Sequence, residues 1–539
     1  MSLEAWAMDM MAAQPIAPES PSLQEVLLPD PQTPDLQALS LEAWAMDMAE
    51  EVQAAPIAVE PPIPEDIPQV TEARWYLGLD FGTTGISAVL LNQATYHLYP
   101  LYWTSPISGL PERSEVPSEL KFRLPSALSL QTANHAAFHL HDFKPYLKLP
   151  QQTSDRRPTV VQGSDTQQIS LIQITQALSA LLSSLIGSAE ALELEAALPP
   201  ITGVAIGYPA DWSEVYCSNL RQIVLDAHLV TDPDQIYFVE DSIAAFLSTL
   251  NSSSGREIVL PHSSQRNAVA TETSESKNTL VLVAGAVTTE LAIMQIAGNS
   301  PVAPNSLDLN RNKVQIRSLP FAGQGIDQDI ICQLIYPFLT QDAGNSIARS
   351  LEGLGEAVAE DFIAEAIDLT VLAFHNLKLP HAGEPDLALR SQLQQRLQSS
   401  RSGNILLNAA QYIKLTLQQQ SRCRLQLGHQ QQTILRQDLG SQVLLPYIQR
   451  LNRELNALLT QADLTVTDVN QVICTGGTAS LGAIARWLRQ KLPNATITQD
   501  TYRASSDRCI PGCSRIAYGL AVLPLQPQLL QQPQFLEQP

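Results

Sequence analysis

The chain has 539 residues, 54 acidic against 32 basic side chains and a formal net charge of -22, length enough for several domains and at least one large core. No apolar run approaches the ~18 residues that a membrane-spanning helix needs, and so acidic a chain repels phosphate backbones, which argues against nucleic acid as the main partner. Six cysteines are too few for a disulfide scaffold, and the opening MSLEAWAMDM carries acid where a secretory signal needs base.

The acid excess is uneven. Residues 1–74 hold fourteen acids, eleven prolines and one basic residue, Arg74, and cannot bury enough apolar surface to offset the entropy of ordering. They read as a disordered acidic arm. Within it SLEAWAMDM at 2–10 recurs unchanged at 40–48. On a helix Leu3, Trp6 and Met10 share one face, as do Leu41, Trp44 and Met48. Such short segments order only against a groove, so the Trp6 and Trp44 copies point to a partner protein with two grooves. A duplication in an idle tail is the alternative.

From Trp75 the pattern becomes compact α/β. WYLGLD (75–80) and ISAVLL (86–91) read as strands joined by a Gly-rich turn. A helical period follows at 169–186, then the strand GVAIGYPADW, a helix over 213–228, the strand IYFVE ending at Glu240 and the helix DSIAAFLSTL. Residues 251–278 read as a polar insertion. TLVLVAGAVTTELAIM then repeats the strand, turn and strand pattern. The later part reads as mostly helical, including the Gln-rich LTLQQQSRCRLQLGHQQQ, before a strand VICTGG, a helix from Leu481 and a loose tail at 526–539. Two such units around a cleft imply internal duplication.

Single side chains add little. Cys217, Cys332, Cys423 and Cys474 sit singly in apolar runs and read as buried thiols of a reducing, cytoplasmic compartment. Cys509 and Cys513 lack a second ligand pair for zinc. Glu352, Glu356, Glu360 and Glu365 read as a solvated helix face, and His97, His139 and His141 as packing or surface residues.

The segment LGLDFGTTGIS (77–87) puts Asp80 at a strand end, followed by Gly82, Thr83, Thr84 and Gly85. So little bulk lets consecutive backbone N–H groups point at an anion, while Asp80 can hold a hydrated magnesium. A tight hairpin with β-branched flanks is the plainer reading of the same residues.

D-F-G-T-T-G after an apolar strand resembles the first phosphate loop of the actin-like ATPase superfamily, and the order of later segments resembles the ATPase domain of the heat-shock protein 70 (DnaK-type) family. The similar segments are FRLPSALSL, FKPYLK, VAIGYPADWSEVYCSNLRQIVLDAHLV, FVEDSIAAFLS, FAGQGIDQDI, VICTGGTASLGAIARWL and SRIAYGLAVLPL, spanning about residues 75–525. The resemblance implies a two-lobed actin-like ATPase fold of duplicated ribonuclease H-like lobes, with lobe I at 75–250 and lobe II at 279–525. It implies ATP or ADP with Mg2+ as ligands. Lys144 would be the catalytic lysine, Glu240 would orient water near the metal, and Asp80, Gly82, Thr83, Thr84, Gly285, Thr288 and Gly323 would line the phosphates. Lys414, Gly476, Gly477 and Thr478 would face the nucleoside.

Departures weigh on the activity. Val283 stands where the family's second phosphate loop has a magnesium-binding aspartate, and Ala286 and Val287 add methyl groups where the turn should approach phosphate closely. Glu290 falls at the family's second acid. Gln411, Leu415 and Gln418 replace a glutamate, an arginine and a serine that contact the nucleoside, Ser480 replaces a base-stacking arginine and Cys513 falls opposite an aspartate. The expectation is weak or absent hydrolysis. No peptide-binding domain is expected after the ATPase-like part. A pseudo-ATPase scaffold that no longer binds nucleotide is the alternative; a sugar kinase or a filament-forming actin relative suits the 240–250 and 321–330 segments less well.

Overall fold

The computed structural model describes residues 74–101, 127–131, 137–141, 143–150, 160–162, 168–183, 185, 200–249, 277–296, 314–340, 362–372, 374–500 and 514–526. The acidic arm before Arg74, the repeats with Trp6 and Trp44, residues 251–276 of the 251–278 insertion, Glu352, Glu356, Glu360, Cys509, Cys513 and the tail from 527 lie outside them, whereas Lys277 and Asn278 already belong to a strand. The architecture is mixed α/β, and no helix among the described residues is long and apolar enough to cross a membrane.

The strands are β1 (Trp75–Gly82), β2 (Gly85–Asn92), β3 (His97–Leu101), β4 (Ala127–Gln131), β5 (Ala137–His141), β6 (Val160–Gln162), β7 (Gln168–Ser170), β8 (Ile201–Tyr208) and β9 (Ile236–Glu240). β10 (Lys277–Ala284), β11 (Thr289–Ile296), β12 (Val314–Leu319), β13 (Phe362–Ala364), β14 (Arg422–Leu427), β15 (Gln430–Leu435), β16 (Gln471–Thr475) and β17 (Thr496–Gln499) follow. The longer helices are α1 (Leu171–Ser183), α2 (Glu214–Asp226), α3 (Asp241–Leu247), α4 (Gly323–Ile330), α5 (Leu387–Gln398), α6 (Arg401–Gln419), α7 (Leu445–Gln461), α8 (Gly482–Lys491) and α9 (Arg515–Val522).

Sheet I has the order β3-β2-β1-β8-β9 and sheet II the order β12-β11-β10-β16-β17. In both, the first three strands in sequence pair antiparallel and the last two add in parallel. The sheets therefore repeat one topology. Every residue of β2 is buried, as expected of a strand covered on both faces. Sheet I packs one face on α1 and α2 through Leu77, Leu79, Ile174, Leu178, Tyr216 and Leu220. Its other face carries α9, where Tyr76, Val89 and Leu91 meet Ala517, Tyr518 and Ala521.

A third apolar cluster joins the halves. Ala205, Val239, Ile243, Ala244 and Phe246 of the first half pack with Val281, Val283, Ala292, Met294 and Ile473 of sheet II and with Ile516 and Leu520 of α9. α3 and α9 cross so closely that a Cβ on Gly519 would run into the Ala244 carbonyl, which is why that helix position tolerates only glycine.

Three readings need correction. The Gln-rich stretch is helical only to Gln419; Arg422–Leu427 and Gln430–Leu435 form a hairpin beside β13. Cys423, Leu425 and Leu427 are buried while their neighbours are less so, a period of two that favours a strand, and Gly428 turns the chain at φ +60°. Glu365 lies beyond β13 outside any helix, paired on the surface with Arg401. Among the cysteines, Cys332, Cys423 and Cys474 are buried free thiols, whereas Cys217 is half-buried.

Candidate functional site

Each sheet opens with a hairpin, and the registers of the two hairpins match residue for residue. In sheet I Asp80 faces Ser87 and Gly82 faces Gly85, leaving Thr83 and Thr84 at the turn. Thr83 is buried and Thr84 exposed. In sheet II Val283 faces Glu290 and Ala284 faces Thr289, leaving Gly285 to Thr288 as the turn. Val283 thus holds the position of Asp80, and Glu290 that of Ser87. Sheet II carries its acid on the second strand of the hairpin.

The acids gather where β9 runs into α3. Glu240 ends the strand, Asp241 begins the helix, and both are buried. Lys144, on the short helical turn Lys144–Lys148, is 5% exposed and places its ammonium 4.0 Å from Asp241 Oδ2. The ammonium lies 5.1 Å from the Trp212 ring centre and 5.9 Å from that of Tyr216, an arrangement in which the ring faces attract the charge. Burial pushes the Asp241 carboxyl up, against the pull of Lys144, and Asp80 and Glu240 push it further.

Glu290 reaches this cluster from the other sheet. It is 1% exposed, and its Oε1 accepts a 2.7 Å hydrogen bond from the Ala210 N–H, in the turn after β8. Burial raises its carboxyl too, the charge of Asp241 adds to that, and the Ala210 N–H opposes it. The second carboxyl oxygens, Asp241 Oδ1 and Glu290 Oε2, are buried without a hydrogen-bond partner in the structure. Unpartnered buried oxygens cost free energy. An oxygen-only donor set of this kind suits a hard cation, although among the described residues no group of three or more His, Cys, Asp or Glu converges as a metal cage.

The glycines of sheet II form a second constellation. Gly476 adopts φ +101°, and a Cβ there would meet the Ala284 carbonyl. The Thr478 hydroxyl donates to the Gly285 carbonyl at 2.6 Å, and the Thr478 N–H to the Ala284 carbonyl at 3.0 Å. At the start of α4, the Gly323 N–H donates to the Gly285 carbonyl at 3.2 Å and the Gln324 N–H to the Ala286 carbonyl at 2.7 Å. The Gly285 N–H closes its own turn on the Thr288 carbonyl at 3.1 Å. Gly477 faces open space: a Cβ there would have nothing within 4 Å.

Lys414, on α6, pairs with Asp327 of α4 at 2.7 Å and also reaches the Gly323 carbonyl at 3.4 Å. Its charge is committed to the start of α4. Leu415 beside it is 64% exposed, while Gln418 accepts from the Gly482 N–H and Ser480 donates to the Gly477 carbonyl.

The structure therefore brings together Asp80, Lys144, Glu240 and Glu290 near the first hairpin, and Gly285, Thr288, Gly323, Lys414, Gly476 and Thr478 as the floor around the second. Sequence reasoning passed over Asp241, Ala210, Trp212, Tyr216 and Asp327. The signal for Asp241 was an acid next to Glu240 at a strand-to-helix junction; the others carry none, because an amide and packed rings are recruited only by the fold. A scan against protein-family models finds no match for the chain, and a search of curated proteins finds none either.

Proposed function

We propose that this chain is a two-lobed actin-like body of the heat-shock protein 70 kind that binds ATP or ADP with magnesium and hydrolyses it weakly or not at all. One observation carries the reading: two sheets of the same order open with hairpins of equal register, and acids and glycines collect beside them. On this reading the turn amides around Gly82, Thr83 and Thr84 take phosphate oxygens, and Asp80 holds hydrated metal with help from Glu290. Magnesium, when bound, neutralises phosphate charge. Lys144, desolvated under Trp212 and Tyr216, adds fixed positive charge, and Glu240 orients water. Gly477 leaves room for the nucleoside.

Slow turnover follows from Val283. Its isopropyl group sits in the apolar cluster that joins the halves and offers metal or water no acceptor. The test is a thermal-shift and calorimetric titration of the full chain with ATP and magnesium. At ligand about 100 times its dissociation constant, stability should rise by about 2.7 kcal/mol. No shift at millimolar nucleotide removes the reading.

That outcome would favour the second reading, a pseudo-ATPase scaffold, which the burial of Val283 and the pairing of Lys414 with Asp327 support. In either case the duplicated arm serves a partner protein with two apolar grooves. Replacing Trp6 and Trp44 together should weaken that partnership more than the product of the single losses, because avidity is lost as well.

A further inference from the structure

The Glu290 contact is unusual in what it joins. Its carboxyl comes from the second residue of β11, in sheet II, and the amide it holds belongs to Ala210, in the turn that leaves sheet I after β8. Ser242, at the start of α3, is fully buried. At the other end of α3, Arg515 of α9 grips Asp500 beyond β17, with Nη2 to Oδ1 at 2.6 Å, and also reaches the Ser248 hydroxyl at 3.3 Å. α9 packs on sheet I, whereas Asp500 hydrogen-bonds through its N–H to the Cys474 carbonyl of β16.

Among the described residues, polar contacts thus tie the halves near both ends of a seven-residue helix, which is about 10 Å long at 1.5 Å rise per residue. Between the ties lies the continuous apolar cluster built on Ile243, Ala244 and Phe246. The ties differ in strength. Arg515 makes a forked pair with both Asp500 oxygens, the geometry in which guanidinium and carboxylate bind best. Glu290 makes a single bond to one backbone amide, and its other oxygen has no partner.

We propose that Glu290 is a releasable latch: its bond to Ala210 holds the two sheets together beside the hairpins, and breaking it lets them part by pivoting about α3 while the Arg515–Asp500 pair stays closed. The weaker tie opens first, and it is the one next to the acid cluster and Lys144. The latch requires no ligand, so it stands or falls apart from the nucleotide reading.

Hydrogen exchange on the full chain without nucleotide tests it, read by mass spectrometry with fragmentation that isolates the Ala210 amide. In Glu290→Ala the Ala210 amide should exchange at least tenfold faster, while the amides of Leu220–Val224 in α2 and Leu451–Leu455 in α7 keep their wild-type rates. Glu290→Gln retains an acceptor oxygen at the same reach and should stay within about twofold of wild type. Glu290→Asp is shorter by one methylene and should behave like the alanine variant, which supplies the test should Glu290→Ala not fold. Unchanged Ala210 exchange in the alanine and aspartate variants would overturn the latch. So would equal acceleration of the α2 and α7 amides, which would make Glu290 a general stability residue.

Discussion

Replacing Val283 probes the site where the two hairpins differ. Val283 is 6% exposed and packs among Ala205, Val239, Ile243, Ala292 and Ile473. Val283→Ala removes two methyl groups, worth about 1.6 kcal/mol at ~0.8 kcal/mol per buried carbon, and the cavity left behind raises the loss to about 2–3 kcal/mol. Val283→Asp forfeits the same packing and buries a carboxyl directly opposite Glu290 in the register. Leaving its oxygens unsatisfied costs a further ~1–3 kcal/mol in the neutral form and more when ionised, for a total of about 4–6 kcal/mol at neutral pH. Urea unfolding of the two variants beside the wild type measures both numbers from midpoint and slope. A Val283→Asp loss within about 1 kcal/mol of the Val283→Ala loss would refute the claim that Val283 is sealed in an apolar joint, since an exposed carboxyl carries little of the desolvation penalty. The same variant tests the chemistry. If the missing acid is the whole lesion, magnesium restores stability to Val283→Asp and raises its ATP hydrolysis above wild type. An unchanged rate discredits a single lesion.

Other outcomes follow from the same reasoning. Arg390 pairs with Asp329 at 2.9 Å, both nearly inaccessible, and also donates to the carbonyls of Gly325, His381 and Glu384. Arg390→Met should therefore cost about 3–5 kcal/mol, and Arg390→Met with Asp329→Leu less than that, checked by a double-mutant cycle. Burial pushes the Asp329 carboxyl up to about 6 despite Arg390, so its contribution is full below about pH 3.8 and is lost as pH rises through about 6; Asp329→Asn should flatten that slope in pH-dependent unfolding. Burial also raises Glu290. Its stabilisation is greatest below the ordinary carboxylate range near pH 4.3 and declines toward neutrality, a dependence that Glu290→Gln should remove. A chain begun at Arg74, whose carbonyl accepts from the Gln93 N–H, should melt within about 2 °C of the full protein, an interval worth about 2 kcal/mol in a body of this size; a larger drop would show that the arm docks.

The hairpins were legible because their signals are local. Alternating and continuous apolar runs bracketed by Gly82 to Gly85, and by Gly285 to Thr288, suffice to set strand, turn and strand. The parallel strands β8, β9 and β16 were legible for the same reason, as short apolar runs between helical periods. The β14–β15 hairpin was hidden by glutamine, a good helix former, and only burial of every second residue from Cys423 to Leu427 overrides that preference. Ala210 and Asp329 were illegible for another reason. What each does depends on a partner far away in sequence: Glu290 and Arg390 respectively. Charge and spacing along the chain do not encode such pairings.

The return of α9 to sheet I has a consequence for biosynthesis. The face formed by Tyr76, Val89 and Leu91 is covered by Ala517, Tyr518 and Ala521, which leave the ribosome only after the whole of sheet II has been made. A nascent chain therefore holds an uncovered greasy surface through most of its translation, and stalling or premature termination before Arg515 yields a species prone to clumping. Maturation of the first half is the last event, so any factor that shields newborn chains has its longest opportunity there.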